Sequence, residues 1–258
     1  MTPLTIDLPL SKPELERLTP ADWQAVIASD PCDAAQWMLH CATLGSAHAQ
    51  TVLGQWLLDG HGVDASPQQA FAWFLKAATQ GQAMGMNMAG RCFENGWGTA
   101  VDAFVAANWY RQAAHKGLDA GMYNYANVLA AGKGVAQNHA HALEWYRRAA
   151  DLGHAKSMTK IGHYYEDGLV VEKDVDAAFF AFGEGARGGD FRGQFNFAGM
   201  LAARGQMLEA LQWLRKVPQT ATPRYRLQAG EKLLQSAHPA FRAIGQQMMD
   251  GLPPTAPS

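Results

Sequence analysis

The sequence predicts an all-α solenoid in which helix pair stacks upon helix pair, and three observations predict it. The twelve residues "AFAWFLKAATQG" (Ala70–Gly81) return 36 residues later as "AANWYRQAAHKG" (Ala106–Gly117) and again as "ALEWYRRAADLG" (Ala142–Gly153). Between these copies a second apolar pattern with helical spacing recurs at the same period. Glycine-bearing loops join the two patterns, with stop signals for one helix and start signals for the next. A fixed period of this length marks supersecondary repeats, each of which buries its apolar face only against its neighbours.

The chain opens with "MTPLTIDLPLSKPELERL", which has neither a basic start nor a continuous apolar core, so no secretion signal is expected there. Nowhere do about 18 apolar residues run together, so no membrane insertion is expected and the predicted compartment is the cytoplasm. Residues 1–30 are predicted to form an N-terminal segment with a capping helix, "TPADWQAVIAS" (Thr19–Ser29), whose Pro20 suits a first helical turn. Ala34, Trp37, Cys41 and Ala42 stand 36 residues before Ala70, Trp73, Ala77 and Ala78, so half a repeat begins the solenoid, predicted to span residues 31–218. Four registered repeats follow, Gly45–Gln80, Gly81–Lys116, Gly117–Leu152 and Gly153–Gly188, and a fifth opens at Gly189.

The first half of each repeat reads as a helix, here helix A. Ala49 with Leu53, Met86 with Gly90, Ala126 with Leu129 and Ile161 with Tyr165 share one face. Gly54, Gly90, Ala126, Gly162 and Ala198 form a column of small residues that allows another helix to come close. The loops "GHGVDAS", "GWGTAVD", "GKGVAQN" and "GLVVEKD" begin at Gly60, Gly96, Gly132 and Gly168, each suited to a left-handed helix end. They finish at Ser66, Asp102, Asn138 and Asp174, whose side-chain oxygens can cap the next helix, helix B. Helix B alternates alanines with Trp73 and Phe74, Trp109 and Tyr110, Trp145 and Tyr146, which predicts an interlocking core that includes the tryptophans.

The pattern then departs from itself. Val170 replaces a loop glycine, Ala181 and Gly185 replace the tryptophan and first alanine of the fourth helix B, and "ARGQM" (Ala203–Met207) shortens the fifth loop by about four residues. After "VPQTATP" (Val217–Pro223), two helical patterns, Arg224–Ala237 and Pro239–Gly251, predict a closing hairpin over 219–251, with a loose tail at 252–258. Met248 and Met249 are expected as exposed apolar residues of this end, able to pair two chains; the oligomeric state itself is not readable.

The stretch Ala49–Gly81, read as "AQxxLGxxLxxGxGVxxSxxxAxxWFxKAAxxG", resembles the Sel-1-like repeat, a relative of the tetratricopeptide repeat, and the resemblance runs over roughly Pro31–Pro218. It implies a right-handed α-α superhelix whose helices A line a concave groove, a bacterial setting, and a non-catalytic adaptor or scaffold that holds a protein or peptide partner there. The repeats differ from one another along those helices at His48, Met84, Ala120, Lys156 and Arg192, at Thr51, Asn87, Tyr123, Thr159 and Phe195, at Val52, Met88, Asn124, Lys160 and Asn196, and at Gln55, Arg91, Asn127, His163 and Gly199. Constant positions hold the fold, and these variable ones are expected to be free to bind. Asn87, Arg91, Asn124, Lys156 and Lys160 resemble in part the carboxylate clamp of tetratricopeptide co-chaperones. Arg91 stands where the clamp has an amide and Asn87 where it has a cation, yet arginine still offers paired donors to a carboxylate. Asn127, His163, Arg192 and Asn196 extend the predicted site, and Tyr123 and Phe195 supply apolar area. Glu94, Asp59, Glu166 and Asp167, at the far end of helix A, are the alternative partners of these cations.

Other functions find less support. A net charge of −2 without basic blocks argues against nucleic acid. Three cysteines, Cys32, Cys41 and Cys92, make neither a disulfide framework nor a zinc cage, and are expected as small buried groups. Cysteine-rich members of the family linked to penicillin binding or hydrolysis rely on paired cysteines that this chain lacks. His139, His141 and Glu144 form HxHxxE, but two residues apart on a helix the imidazoles face different ways, so no metal or other cofactor is predicted. No GxSxG, HExxH or phosphate loop occurs, which leaves a hydrolase or metal-dependent enzyme, with its site at the groove or the C-terminal hairpin, as the rival to the scaffold.

Overall fold

The computed structural model describes residues 11–252, so the N-terminal stretch 1–10 and the tail expected to be loose beyond residue 252 lie outside the described residues. Among the described residues the fold is wholly helical. It begins with α1 (Lys12–Leu15), α2 (Pro20–Ile27) and α3 (Pro31–Thr43). Helices A and B then alternate as α4 (Ala47–Asp59), α5 (Pro67–Thr79), α6 (Ala83–Asn95), α7 (Ala103–His115), α8 (Asp119–Ala131), α9 (His139–Asp151), α10 (Ala155–Asp167), α11 (Val175–Arg187), α12 (Phe191–Ala203) and α13 (Met207–Thr220). α14 (Pro223–Leu234) and α15 (Pro239–Met249) close the chain. The helices divide between Asn138 and His139 into two compact bodies, α1–α8 and α9–α15.

Local chemistry sets the boundaries. Gly60, Gly96, Gly132 and Gly168 end their helices A in the left-handed region, with φ of 71°, 73°, 68° and 69°. The Asp102 carboxylate accepts from Val105 N at 3.0 Å to start α7, and Asp174 accepts from Asp176 N and Ala177 N at 2.9 Å to start α11.

In the first body, consecutive helices from α3 to α8 pack in sequence. Phe74 and Tyr110 are fully buried. A Cβ on Gly54 would lie 2.6 Å from the Phe74 ring, and one on Gly90 would lie 2.7 Å from the Tyr110 ring. The glycine column therefore makes room for the helix B ring of the same repeat. Trp73 and Trp109 are only half-buried, a correction to the expected all-tryptophan core. They sit one residue, or about 100° of helix rotation, away from the buried ring, at the rim of the apolar face. Lys76 Nζ lies over Trp73 at 4.0 Å. Cys32 is exposed near the start of α3, unlike buried Cys41 and Cys92, whose thiols burial pushes up to about 11.

In the second body, Trp145, Tyr146 and Phe182 are buried, and a Cβ on Gly162 would meet the Phe182 ring at 2.7 Å. α13 runs through Pro218 to Thr220, past the expected break, because in the last turn the missing N–H removes a single bond. α14 and α15 pack against one another, crossing where a Cβ on Gly230 or on Gly245 would stand 2.8 Å from the other glycine's carbonyl oxygen. Met248 is fully buried with Ile244 and Gly245, and Met249 packs on Gly230. The expected exposed methionine pair is thus corrected: i, i+4 spacing turns Ile244 and Met248 onto the face that α14 and α13 cover.

Candidate interaction surface

The predicted site residues fall in both bodies. On the first, Asn124 Nδ2 donates to Asn87 Oδ1 at 2.8 Å, a bridge from α8 to α6. Asn87 and Met88 are buried, as are Thr51 and Thr159, so the expectation that every variable position is free does not hold there. These positions include a column facing the adjacent helix A, where short polar side chains bond instead of reaching solvent; Thr51 Oγ1 donates to Gln82 Oε1 at 3.0 Å. Where the same column carries an aromatic residue, Tyr123 or Phe195, the ring stays half-exposed. The Arg91 guanidinium lies 4.9 Å over the Trp97 ring, and its Nη1 donates to Met88 Sδ at 3.6 Å. Asn124 and Asn127 are half-exposed beside it on α8.

On the second body, α10 and α12 carry the cations. Lys156 and Arg192 are exposed and Lys160 is half-buried. Burial holds the Lys160 amine below the usual lysine range, repulsion from Arg192 adds to this, and the Asp190 carboxylate opposes it. Arg192 rests 4.5 Å over Phe191 and 5.4 Å over Tyr225, whose rings meet at a 56° tilt with centroids 4.7 Å apart. Phe195 meets Tyr225 edge-on at 6.1 Å, and Lys232 Nζ lies 5.5 Å from the Phe195 centroid. Asn196 Nδ2 donates to His163 Nε2 at 3.1 Å, which leaves His163 Nδ1–H to donate to Glu166 Oε2 at 3.3 Å.

Three of the four candidate acidic partners, Glu94, Asp59 and Glu166, are engaged elsewhere. Tyr110 Oη donates to Glu94 at 2.6 Å, Gln55 Nε2 donates to Asp59 at 2.7 Å, and Glu166 accepts from His163 Nδ1. Among the described residues the ion pairs are His163–Glu166, Arg187–Glu184 and Arg204–Asp176, so Lys156, Lys160, Arg192 and Lys232 lie outside them. His139 Nδ1 sits 3.1 Å from Tyr164 Oη while Trp145 Nε1 donates to His141 Nε2 at 2.9 Å, so the two imidazoles serve different aromatic partners. Sequence reasoning missed Phe191, Tyr225 and Lys232. The last two come from α14, outside the repeat, where the only signal was the interleaving of basic and aromatic residues in "RYRL".

The profile of the family described as Sel1 repeat matches residues 47–82, 83–118, 119–154 and 155–190. Among solved structures the chain is similar to a Sel1 repeat protein from Oxalobacter formigenes, with 22% identity and a TM-score of 0.75 over 92% of this chain and 98% of that one. It is similar to a protective antigen present in uropathogenic Escherichia coli strains and displaying an SLR fold, with 23% identity and a TM-score of 0.69 over 93% of this chain. The match spans 56% of that antigen's length. An immunity protein from Pseudomonas aeruginosa aligns at 15% identity and a TM-score of 0.55 over 79% of this chain and 78% of that one. At these identities the likeness is one of fold. Comparison with curated proteins finds no match. Among the described residues no helix is long and apolar enough to cross a membrane.

Proposed function

The chain belongs to the Sel1 repeat family, and from that premise we propose that it is a non-catalytic scaffold holding a partner polypeptide on the exposed side of its helices A. Sel1 repeats generally mediate protein–protein interaction, which supports the class. The observation that carries the reading is the cationic face of the second body. Lys160 and Arg192 repel one another across a half-buried surface and lie outside every ion pair among the described residues. An incoming carboxylate offsets both the repulsion and the burial cost. Arg192 is steadied by two aromatic rings, so little side-chain entropy remains to be lost when its paired donors take up an anion. In the first body, the Arg91 guanidinium offers paired donors suited to a carboxylate, and Tyr123, Asn124 and Asn127 on α8 are half-exposed.

The test is capture from lysate by the immobilised protein, compared with a Lys160→Ala, Arg192→Ala, Lys232→Ala variant and with an Arg91→Ala, Asn124→Ala, Lys156→Ala, Lys160→Ala variant. Loss of the captured proteins in either variant, with helicity unchanged, supports the scaffold. An unchanged set of captured proteins overturns it, and so does turnover in a substrate screen without any capture.

A further inference from the structure

We propose that the second body contains a pocket, opened by Gly199 between α12 and the α14–α15 hairpin, that receives a bulky apolar side chain of an acidic partner segment. This names the partner of the surface described above and rests on that reading.

Gly199 sits inside α12, where a glycine costs about 1 kcal/mol relative to alanine. Every other glycine inside a described helix has a reason to lack a side chain: a Cβ there would come within 3.1 Å of a ring, a backbone atom or another side chain. A Cβ on Gly199 would meet nothing within 4 Å. Its column otherwise holds Gln55, Arg91, Asn127 and His163, so helix packing does not demand glycine at this place. The space left open belongs to a cavity of about 430 Å³. Phe195, Leu214, Leu233 and Phe241 give it an apolar lining, and Lys232 and Asn196 are its polar members together with Glu166 and Ser236. That volume falls within the range of roughly 300–1,000 Å³ typical of ligand pockets. It suits a leucine- or phenylalanine-sized group, whose burial against this lining supplies the anchor.

Charge selects the flanks of that anchor. Phe195 links the cavity to the cationic face, since Lys232 lies over its ring and its edge meets Tyr225, on which Arg192 rests. Lys160, Arg192 and Lys232 stand around this aromatic group and Lys156 shares a hollow with Phe191, against two carboxylates: Asp190, buried, whose Oδ2 accepts from Gly193 N at 3.3 Å while its Oδ1 has no hydrogen-bond partner, and Glu166, accepting from His163. A segment with Asp or Glu on both sides of its apolar residue matches the excess cations. A basic segment would add to the Lys160–Arg192 repulsion.

Three amide-terminated heptapeptide libraries test this. One carries Asp and Glu around a central Leu, Met, Phe or Trp; one keeps the acids around a central Ser; one has Asn and Gln around the apolar centre. Binding is read by fluorescence anisotropy and by ¹H–¹⁵N shifts at Gly199 and Ala203. The first library is expected to bind at least tenfold more tightly than the other two and to move both amides. Gly199→Leu is expected to fill the cavity and weaken binding tenfold or more, with an unfolding midpoint equal to or above that of the parent. Equal binding by the serine-centred library, undiminished binding to Gly199→Leu, or no binding by any library overturns the pocket. The scaffold reading is judged separately: a partner captured by both parent and Gly199→Leu but lost with the Lys160, Arg192, Lys232 triple variant sinks the pocket and leaves the cationic surface standing.

Discussion

Val170 adopts φ 57°, in the left-handed region where the three preceding loops place Gly62, Gly98 and Gly134. A β-branched residue is strained there, by roughly 1–2 kcal/mol for an L-residue in this conformation, while glycine returns about 0.4–1 kcal/mol through the freer unfolded chain. Val170→Gly is therefore expected to raise stability by up to about 1 kcal/mol, seen as a higher urea midpoint; a lower midpoint refutes the strain. Gln194 poses a second conflict. It is buried, its Oε1 has no hydrogen-bond partner, and the same is true of Asp190 Oδ1 one turn earlier. Gln50, at the matching place in the first repeat, accepts from Gln80 Nε2 at 2.7 Å, and Gln80 comes from the end of the following helix B. Allowing for the residues missing from the fifth loop, Thr220 at the end of α13 stands in register with Gln80, and it has a shorter side chain with no amide to donate. Methionine fills this place in the other three repeats, as Met86, Met122 and Met158. A buried unpaired acceptor costs about 1–3 kcal/mol, so Gln194→Met is expected to stabilise the protein by an amount in that range, and thermal unfolding at neutral pH measures it. Lys160 carries a burial cost of the same kind. Its amine is held low, so the folded state binds fewer protons than the unfolded chain, and stability rises as pH climbs from the depressed value toward the ordinary lysine range. Lys160→Met is expected to flatten that rise and to raise stability at neutral pH while weakening partner binding.

Helix boundaries were the most legible feature, because a cap is a contact between neighbours in sequence. Asp102 and Asp174 cap as their residue type predicts, and the loop glycines take the left-handed conformation that their spacing requires. Which ring fills the core was less legible: Trp73 and Phe74 are both large and apolar, and a rotation of one residue about the helix axis, set by the partner helix, puts Phe74 inside. Glycine inside a helix was ambiguous for the same reason, since the sequence does not say what lies opposite. The structure separates the cases. Gly90→Ala would press a methyl onto the Tyr110 ring, and the overpacking, typically about 1–3 kcal/mol, exceeds or cancels the propensity gain of about 1 kcal/mol. Gly199→Ala meets no obstacle and should gain about 1 kcal/mol. A paired denaturation measurement in which both substitutions shift stability alike would contradict this distinction.

At the scale of the whole molecule the register itself is testable. A Cβ on Gly85 would meet Ala77, and one on Gly121 would meet Ala113, each at 2.7 Å, so α8 carries the same close-packing feature against α7 that α6 carries against α5. Removing residues 83–118 should let α8 dock on α5, giving a shorter protein with the same helicity per residue and a cooperative transition. Removing half that length, 83–100, should not; two equally folded products would refute the register. The candidate surface was legible only where it belongs to this periodicity. Lys160, Arg192 and Phe195 stand in columns where repeats differ, whereas Lys232 and Tyr225 arrive from a hairpin that obeys no repeat, and no spacing could bring them to Phe195. The abbreviated turn before α13 has one more effect. In the first three repeats Gly62, Gly98 and Gly134 let the loop backbone settle against the start of the preceding helix B, at Pro31, Pro67 and Ala103, by shape alone. The short turn instead reaches the start of α11 through Arg204, which lies 3.7 Å over Phe179 and pairs with exposed Asp176. A fastening made of neutral backbone is indifferent to salt, but one made of opposite charges at the surface is screened by it. Proteases should therefore nick the chain near Arg204 sooner in molar sodium chloride than in dilute buffer, while the loops at Gly62, Gly98 and Gly134 resist equally in both.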